Sequence, residues 1–271
     1  MDNDHNIGFQ SECIISQLES ELEEKEEFII LRTPSKPMYY FGNLLALKVP
    51  LSQHTKADWL AIFDQAFAAT KGIQHYTFSW SRQLSEEPVS EFIDAGFEYE
   101  EIHVLTQQKA DFIAPTQLNN DFLYRPLLSD SDWQQWVELS VSERQGNHAQ
   151  DSYREFLSGQ SANYRALAAQ GLGEYYGAFS NNRLIGFAGL YYQASLARFQ
   201  HVLVAPEFQN RGVAKALITN LIGRAPQTVS TLVILADEHY HASRLYQSLG
   251  FQVTERQCSL CWWPAEHRHT N

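Results

Sequence analysis

The chain has 271 residues, 44% of them hydrophobic and 13% aromatic, and a formal net charge of -12 at pH 7. This length allows two domains with ordinary cores, and the composition is typical of a globular protein rather than a disordered one. Because nucleic acids and acidic membranes attract basic surfaces, the negative charge argues against both partners. The sequence has no apolar run near the roughly 18 residues of a membrane span and no signal peptide at its polar start, so we expect a cytoplasmic protein.

The charge is divided unevenly along the chain. Residues 1–115 hold 8 Lys and Arg against 19 Asp and Glu, a net charge of -11, whereas residues 116–271 hold 12 against 13, a net charge of -1. Eleven of the twelve cations in the second half are arginines, the side chain that suits phosphate best. We therefore expect an anionic ligand, if there is one, in the second half.

In the first half, hydrophobic spacing predicts both helices and strands. The apolar residues from Ile14 to Leu22 recur at helical spacing, and Glu19 to Glu27 are predicted to form the solvent-facing side of that helix. The polar stretch from Gln107 to Asp121 shows no sustained period, which predicts a boundary between a domain at 1–115 and another at 116–271. Further helices are predicted at 57–69 and 89–95, and strands at 28–32, within 38–49, at 76–80 and at 97–105.

In the second half, the pair Asn181-Asn182 predicts a tight hairpin because asparagine tolerates positive φ angles. After Gly250, a strand that opens at Phe251 is predicted to pair with residues 257–262. Helices are predicted to begin near Ser129, to span 151–170, to run from the loop at 209–212 to about Ile222, and to span 242–249. Strands are predicted at 122–125, 174–179, 184–192, 199–204 and 231–235.

The stretch from Val204 to Leu217 combines an apolar run, a proline turn and a glycine at a helix start, which predicts a strand, a loop and a helix. Gly212 has no side chain and Ala214 has only a methyl group, so the first helical N–H groups are uncrowded and form an anion cradle. Arg211 and Lys215 add positive charge. The alternative is an ordinary helix start that carries a glycine, since such a pattern alone is common.

A second motif, Ala242-x-x-Leu245-Tyr246-x-x-x-Gly250-Phe251, follows one strand later. Together the two motifs resemble the GNAT superfamily of acyl-CoA-dependent N-acyltransferases. The first matches the family's Gln/Arg-x-x-Gly-x-Gly/Ala motif with a preceding Val-x-Pro, and the second matches its Ala-x-x-Leu-Tyr-x-x-x-Gly-Phe motif. Their order, the strand between them and the Arg125-Pro126-Leu127 start extend the resemblance over residues 122–263.

The resemblance implies an α/β (α+β) fold with two GNAT-like domains, each a mixed, mostly antiparallel sheet flanked by helices. It also implies acetyl-CoA as cosubstrate, without a metal. Tyr246 would donate a proton to the departing thiolate, since a phenol with a pKa near 10 stays protonated at neutral pH. The implied cofactor contacts are the backbone of Val202, Leu203 and Val204, the cradle residues Gln209, Asn210, Arg211, Gly212, Val213, Ala214 and Lys215, and the side chains of His239 and Ser243.

Two positions depart from the family pattern. His239 stands where the family often has Asn, and Gln200 and His201 replace the usual strand carboxylate. An amine acceptor must lose a proton before attack, and His201 is our first candidate for the base because its ordinary pKa is near 6.5. A structural strand histidine is the equal alternative, and Glu174 and Asp237 are the other candidates for the base.

Neither the histidines nor the cysteines form a recognisable metal site. Asp237, His239 and His241 alternate just after a strand, which is not a known ligand spacing. Cys258-x-x-Cys261 lies in an alternating apolar stretch, so we predict buried thiols that catalysis does not need.

The two halves share an order of elements. Aligning Gly96 with Gly250 gives an offset of 154 residues, and aligning Pro50 with Pro206 gives 156, which indicates an internal duplication. The first copy has no glycine at 51–57, where the cradle would lie, so we predict a degenerate GNAT-like domain that binds no CoA.

The sequence therefore predicts an N-acetyltransferase that acts by direct attack on a small-molecule or peptide amine. The alternative from another class is a CoA-sensing or interaction module that has kept the cradle and lost turnover. The sequence does not identify the acceptor and leaves a homodimer open.

Overall fold

The computed structural model of the protein describes residues 6–82, 89–143, 150–236 and 242–264. None of the helices in these ranges is long and apolar enough to cross a membrane. The α-helices are α1 Ile7–Ser16, α2 Lys56–Phe67, α3 Ser90–Asp94, α4 Asp130–Ser142, α5 Gln150–Ala169, α6 Val213–Arg224 and α7 Ala242–Ser248. The strands are β1 Glu21–Glu24, β2 Phe28–Arg32, β3 Leu44–Leu47, β4 Tyr76–Ser81, β5 Glu98–Gln108, β6 Leu123–Pro126, β7 Gly173–Ser180, β8 Arg183–Gln193, β9 Leu196–Val204, β10 Thr231–Ala236 and β11 Gln252–Trp262.

The chain divides into two compact units. The first is built from the described parts of Met1–Leu105, Leu235–Tyr240 and Val253–Thr270, and the second from those of Thr106–Ile234 and His241–Gln252. The last strand, β11, therefore belongs to the first unit, although the preceding helix α7 belongs to the second.

In the second unit the strand order is β10-β9-β8-β7-β6. The pairs β6–β7, β7–β8 and β8–β9 are antiparallel, whereas β9 and β10 are parallel and are connected through the crossover helix α6. The hairpin between β7 and β8 turns at Asn181 and Asn182, whose φ angles are 49° and 65°. The predicted hairpin is thus confirmed.

Helices cover both faces of this sheet. On β7, the ring of Tyr175 packs at 5.5 Å from Trp136 of α4 and at 5.0 Å from Tyr164 of α5. The next residue, Tyr176, lies under the guanidinium of Arg224 at the end of α6. Successive strand residues point to opposite faces, so α4 and α5 lie on one face and α6 lies on the other.

In the first unit the strand order is β1-β2-β3-β4-β11-β5. Here too one pair is parallel, β3 with β4, and it is connected through the crossover helix α2, while β1–β2, β2–β3 and β4–β11 are antiparallel. The core of this unit is rich in aromatic side chains, among them Trp59, Phe63, Phe78 and Trp80. The predicted α/β fold with a mixed, mostly antiparallel sheet and flanking helices is confirmed.

Two predicted elements are wrong. The helix expected from Ile14 to Leu22 ends at Ser16, whose carbonyl accepts the N–H groups of Glu19 and Ser20. Glu21–Glu24 form the edge strand β1 instead of a helix face. Charged side chains suit an edge strand because they oppose pairing with other chains.

The second error concerns the end of the chain. The two short paired strands expected after Gly250 are one continuous strand of 11 residues, β11, which pairs with β4 of the first unit, with Cys258 opposite Trp80. The domain boundary at residues 115/116 stays a prediction.

Candidate active and cofactor site

An opening between two parallel strands forms the first part of the candidate site. The register pairs Leu196–Arg198 of β9 with Thr231–Val233 of β10, and β9 then continues as far as Val204. On its other side β9 stays paired with β8, where Leu203 lies opposite Phe187. Among the described residues, the end of β9 thus has one strand neighbour, and its second edge is available to an extended ligand.

The ladder shows which groups face this opening. Ala205 N–H donates to the carbonyl of Ile185 on β8, so the alternation of an antiparallel ladder turns the N–H and C=O of Val204 away from β8. The Val204 carbonyl accepts a bond of 3.0 Å from Nε2 of Gln209, and the Val204 N–H points into the opening. The predicted strand residue and the predicted loop residue are therefore in direct contact.

A β-bulge lies at His201. Gln200 pairs with Gly189, but Leu203 pairs with Phe187, so the register shifts between these pairs, and the φ angle of His201 is 48°. An extra residue at this point turns two successive side chains toward the same face.

Contacts confirm that both side chains face α4 and α5. Nε2 of Gln200 donates to the hydroxyl of Tyr164 at 3.2 Å, and the ring of His201 lies edge-on to Trp136 at 5.7 Å and to Phe187 at 5.1 Å. These rings surround the half-buried imidazole, and desolvation lowers the pKa of His201 to about 4. His201 is therefore neutral at physiological pH, and it is a weak base.

The predicted cradle follows the opening directly. Pro206–Phe208 form one 3-10 turn, Gln209 is extended, and Asn210 and Gly212 have φ angles of 58° and 77°. Helix α6 then begins at Val213. The predicted sequence of strand, loop and helix is confirmed.

The N-terminus of α6 is open to an anion. Its N-cap is Gly212, which provides no side-chain hydrogen bond, and its first turn contains no acidic residue. The first N–H groups of the helix, at Val213 and Ala214, have no partner within the helix and are positioned to bind an anion. Lys215 is half-buried in the same turn.

Asn119, which the sequence did not indicate, and the rings of Phe122 and Phe208 contact this loop. Nδ2 of Asn119 donates to the carbonyl of Arg211 at 2.8 Å, while Oδ1 of Asn119 accepts the N–H of Asp121. The exposed guanidinium of Arg211 lies 5.0 Å from the ring of Phe122 and 5.5 Å from that of Phe208. The polar stretch from Gln107 to Asp121, where we predicted a domain boundary, therefore contacts the cradle through Asn119.

The second motif forms the short helix α7. Tyr246 and Ser243 are 5% and 8% exposed, so both candidate side chains lie inside the second unit. The carbonyl of Tyr246 accepts the N–H groups of Leu249 and Phe251, and Gly250, with a φ angle of 96°, ends the helix. His239 and Asp237 lie outside the described residues.

Glu174, another candidate base, forms an ion pair with Arg224. Its two carboxylate oxygens accept bonds of 2.6 and 3.0 Å from the guanidinium of Arg224, on the face of the sheet covered by α6. His201 faces α4 on the opposite side. The ion pair and the direction of this side chain both argue against Glu174 as a base.

The cysteines and histidines show no metal site in the described part of the chain, where no three His, Cys, Asp or Glu side chains cluster. Cys258 and Cys261 are free, buried thiols of β11. Burial raises the pKa of both thiols, that of Cys261 to about 11. Both are protonated at neutral pH and are poor nucleophiles.

The parallel strands β9 and β10 separate beside the N-terminus of α6, which has no side-chain cap. Backbone N–H groups in such a position can bind a phosphate group. Residues 139–263 match the family model of the acetyltransferase (GNAT) domain. This match includes the bulge, the cradle and the helix of Tyr246.

Solved structures share the fold over most of the chain. A functionally unknown conserved protein from Staphylococcus epidermidis is 14% identical with a TM-score of 0.70, and the match covers 88% of this chain and 92% of that protein. A GCN5-related N-acetyltransferase from Kribbella flavida is 10% identical with a TM-score of 0.68 and 98% coverage of both chains. A tandem GNAT protein from the clavulanic acid biosynthesis pathway is 11% identical, with a TM-score of 0.57 and coverage of 90% and 83%. The fold of this protein is therefore that of GNAT N-acetyltransferases.

Proposed function

We propose that the protein is an acyl-CoA-dependent N-acyltransferase that moves an acetyl group from acetyl-CoA to a primary amine of a small molecule or peptide. The observation that carries this proposal is the open N-terminus of α6 beside the free edge of β9. The left-handed Gly212 and the absence of a capping side chain leave backbone donors for a diphosphate. Residues from Val202 to Val204 offer backbone groups for the extended arm of the cofactor.

The residues present fit this cofactor. Gln209–Lys215 supply backbone donors and two cations, and the proposed side-chain contacts of His239 and Ser243 come from the region of the second motif. Acetyl-CoA supplies an activated thioester when it is bound. The residues of the chain would hold the diphosphate, orient the extended arm of the cofactor along β9 and move two protons.

Tyr246 is the proposed general acid. Its buried phenol would donate its proton to the departing thiolate. The amine attacks directly in a ternary complex, so no enzyme nucleophile is required. The protonated, buried thiols of Cys258 and Cys261 agree with that assignment.

The acceptor must lose a proton, and His201 is the proposed group that receives it. An alkylammonium ion has a pKa near 10.4, whereas desolvation lowers the pKa of His201 to about 4, so direct proton transfer from the ammonium to this imidazole is strongly uphill. His201 can accept a proton only transiently, or can orient a water chain that begins at the acceptor. Both roles keep His201 as the proposed catalytic residue of the bulge.

We assign catalysis to the domain at 116–271 and propose that the domain at 1–115 binds no CoA. The corresponding crossover helix α2 supports this division, because its N-terminus is closed by a capping box. Asp58 N–H donates to Oγ1 of Thr55, and the Asp58 carboxylate accepts the Thr55 N–H. The Asp58 carboxylate in the first turn of α2 would repel an anion of the kind that we propose binds at the N-terminus of α6.

One observation favours a second candidate function, a CoA-sensing or interaction module. The bulge carries Gln200 and a weakly basic His201 where catalysis would be served by a carboxylate. Such a protein would bind the cofactor through α6 and would not transfer its acyl group.

A single incubation separates the two functions. The protein is mixed with acetyl-CoA and a broad panel of amines, free thiol release is followed, and binding of CoA is measured in parallel by calorimetry. Binding with amine-dependent thiol release supports the transferase. Binding without thiol release for every amine favours the sensing module, and absence of CoA binding contradicts both.

A further inference from the structure

A cavity of about 420 Å³ lies in the first unit, beside the end of α2 and the start of β4, and it is closed on one side by the end of β11. This volume falls in the range of small-molecule sites, roughly 300–1,000 Å³. The cavity contains no residue of the cradle, the bulge or the second motif. It is therefore a candidate site of its own, whether or not the chain transfers acyl groups.

Four of the eleven lining residues carry large aromatic rings, namely Phe63, Phe67, Tyr76 and Trp262. Phe63 and Phe67 are buried and stack at 4.4 Å between ring centres. The half-buried ring of Tyr76 lies 5.1 Å from Phe63 and 5.8 Å from Trp262. The faces of such rings carry negative potential, and groups of them attract organic cations.

The charged side chain at the cavity is negative, like the potential at the ring faces. Among the described lining residues, Asp64 is the one acidic side chain, and none is Lys or Arg. Oδ1 of Asp64 accepts the hydroxyl proton of Tyr76 at 3.0 Å, which holds the exposed carboxylate at the rim. His75 also lines the cavity, but burial lowers its pKa, so it is neutral at pH 7.

One cation lies nearby but does not compete for the cavity. The guanidinium of Arg32 lies 5.8 Å from the ring of Phe67, and it is bound by the carboxylate of Glu23 and the carbonyl of Ala66. Arg32 is not among the lining residues. Glu23 pairs with Lys25 as well as with Arg32, but neither cation lines the cavity, so Asp64 is the charged carboxylate that a ligand meets among the described lining residues.

We propose that this cavity binds a small organic cation, an alkylammonium ion with an apolar body. The ammonium group lies beside the Asp64 carboxylate, and the apolar body packs against Phe67, Tyr76 and Trp262. An anion would meet the carboxylate and the negative faces of the rings, and a neutral molecule would gain only the apolar contact.

Calorimetric titration of the full chain with phenethylammonium chloride tests the proposal, and 2-phenylethanol serves as the neutral probe of the same shape. We expect saturable binding of the cation and an affinity up to about fivefold weaker for the alcohol, since an ion pair with an exposed carboxylate contributes up to about 1 kcal/mol. Asp64→Asn should weaken binding of the cation by up to about fivefold and leave that of the alcohol unchanged. Asp94→Asn, which changes an exposed carboxylate on α3 outside the cavity, is the matched control and should bind as the unmodified protein does.

Tyr76→Phe provides a second variant, since it keeps the ring and removes the hydroxyl that fixes Asp64. We expect it to retain a preference for the cation over the alcohol, with a smaller loss than in Asp64→Asn. Thermal unfolding of each variant shows that it is folded. Equal affinity of Asp64→Asn and the unmodified protein for the cation, equal affinity of the unmodified protein for both probes, or absence of saturable binding would overturn the proposal.

Discussion

Replacing Tyr246 by Phe removes one hydroxyl group from a buried ring in the second unit and leaves its packing beside Phe251 intact. If the phenol protonates the leaving thiolate, kcat should fall by about 10²-fold or more, which is the usual effect of losing a general acid. The affinity for acetyl-CoA should change little, because the ring remains in place. Steady-state kinetics and calorimetry measure the two quantities.

The control is Tyr192→Phe, which removes the hydroxyl of a half-buried tyrosine on β8 near Glu174 and Arg224. Its kcat should match that of the unmodified enzyme. An unchanged kcat in Tyr246→Phe would show that the Tyr246 hydroxyl is not the general acid.

Gly212 adopts a backbone conformation that other residues avoid. A Cβ at this position would meet the Cβ of Asn119 at an ordinary 3.7 Å, so the obstacle is the φ angle of 77° and not the space. Gly212→Ala should therefore destabilise the protein by about 1–2 kcal/mol, or turn the loop and weaken CoA binding, because a left-handed alanine is strained.

The matched control lies in the same helix. Gly223 on α6 has open space around its Cβ, and an alanine there should stabilise the helix by up to about 1 kcal/mol without affecting CoA. Urea denaturation and CoA titration of both variants give the comparison. Unchanged stability and unchanged affinity in Gly212→Ala would show that the cradle geometry is not required.

The pH dependence of kcat/KM tests His201. Desolvation lowers the pKa of His201 to about 4, so the imidazole is already deprotonated above pH 5 and can act as a base there. Between pH 5 and 8 the profile should rise only with the fraction of free amine, without a break near 6.5. A break near 6.5 that His201→Gln abolishes would contradict the desolvated environment and would identify an ordinary titrating base.

At the scale of elements, the segment before β6 should control cofactor affinity. Asn119→Ala removes the bond of 2.8 Å to the carbonyl of Arg211 and frees the loop that carries the cradle. Loss of one such hydrogen bond, about 1 kcal/mol, predicts a CoA affinity about fivefold weaker with kcat at saturation unchanged. Calorimetric titration with CoA measures the change.

Asn120→Ala is the control, because it alters the neighbouring exposed asparagine of the same segment. It should leave the affinity for CoA unchanged. If both variants bind CoA like the unmodified protein, the segment does not fix the cradle.

Elements whose signals are local could be predicted from the sequence. The cradle is such a case, since Gly212, the proline turn and the apolar run of β9 lie within a few residues of one another. The bulge at His201 and the bond from Asn119 to Arg211 could not be predicted, because they depend on partners such as Gly189 that are remote in sequence or on an unusual backbone angle. The sequence therefore predicted which residues form the site, but it did not predict the backbone bulge and the hydrogen bonds that position them.

The errors in the first and last elements have the same cause. No glycine or proline marks the end of α1, and the charged Glu21–Glu24 fit a helix surface as well as an edge strand. In β11, we predicted two paired strands, but Glu255 and Gln257 are buried within one continuous strand. Glu255 accepts the N–H of Gly8, and Gln257 donates to Glu12 and to Ser79. These partners lie far away in sequence, so local periodicity could not reveal them.

At the scale of the whole molecule, the two units differ in how their crossover helices begin. Each unit has a parallel strand pair with a crossover helix, but α2 begins at a capping box and α6 begins at a bare glycine. The contrast supports a single CoA site per chain. It also frees the first unit for another task, such as the cation site that we propose.

The net charge of the chain should influence how fast amines arrive. With a net charge of -12, of which -11 belongs to residues 1–115, the protein attracts cationic acceptors over distances near the Debye length, about 10 Å at 0.1 M salt. At saturating acetyl-CoA, kcat/KM for an alkylamine should therefore fall severalfold between low and high salt. An aniline-type acceptor, uncharged at neutral pH, should show no such decrease, which separates steering of the cation from any effect of salt on the enzyme. Equal salt dependence for the two acceptors would show that the acidic half contributes nothing to capture.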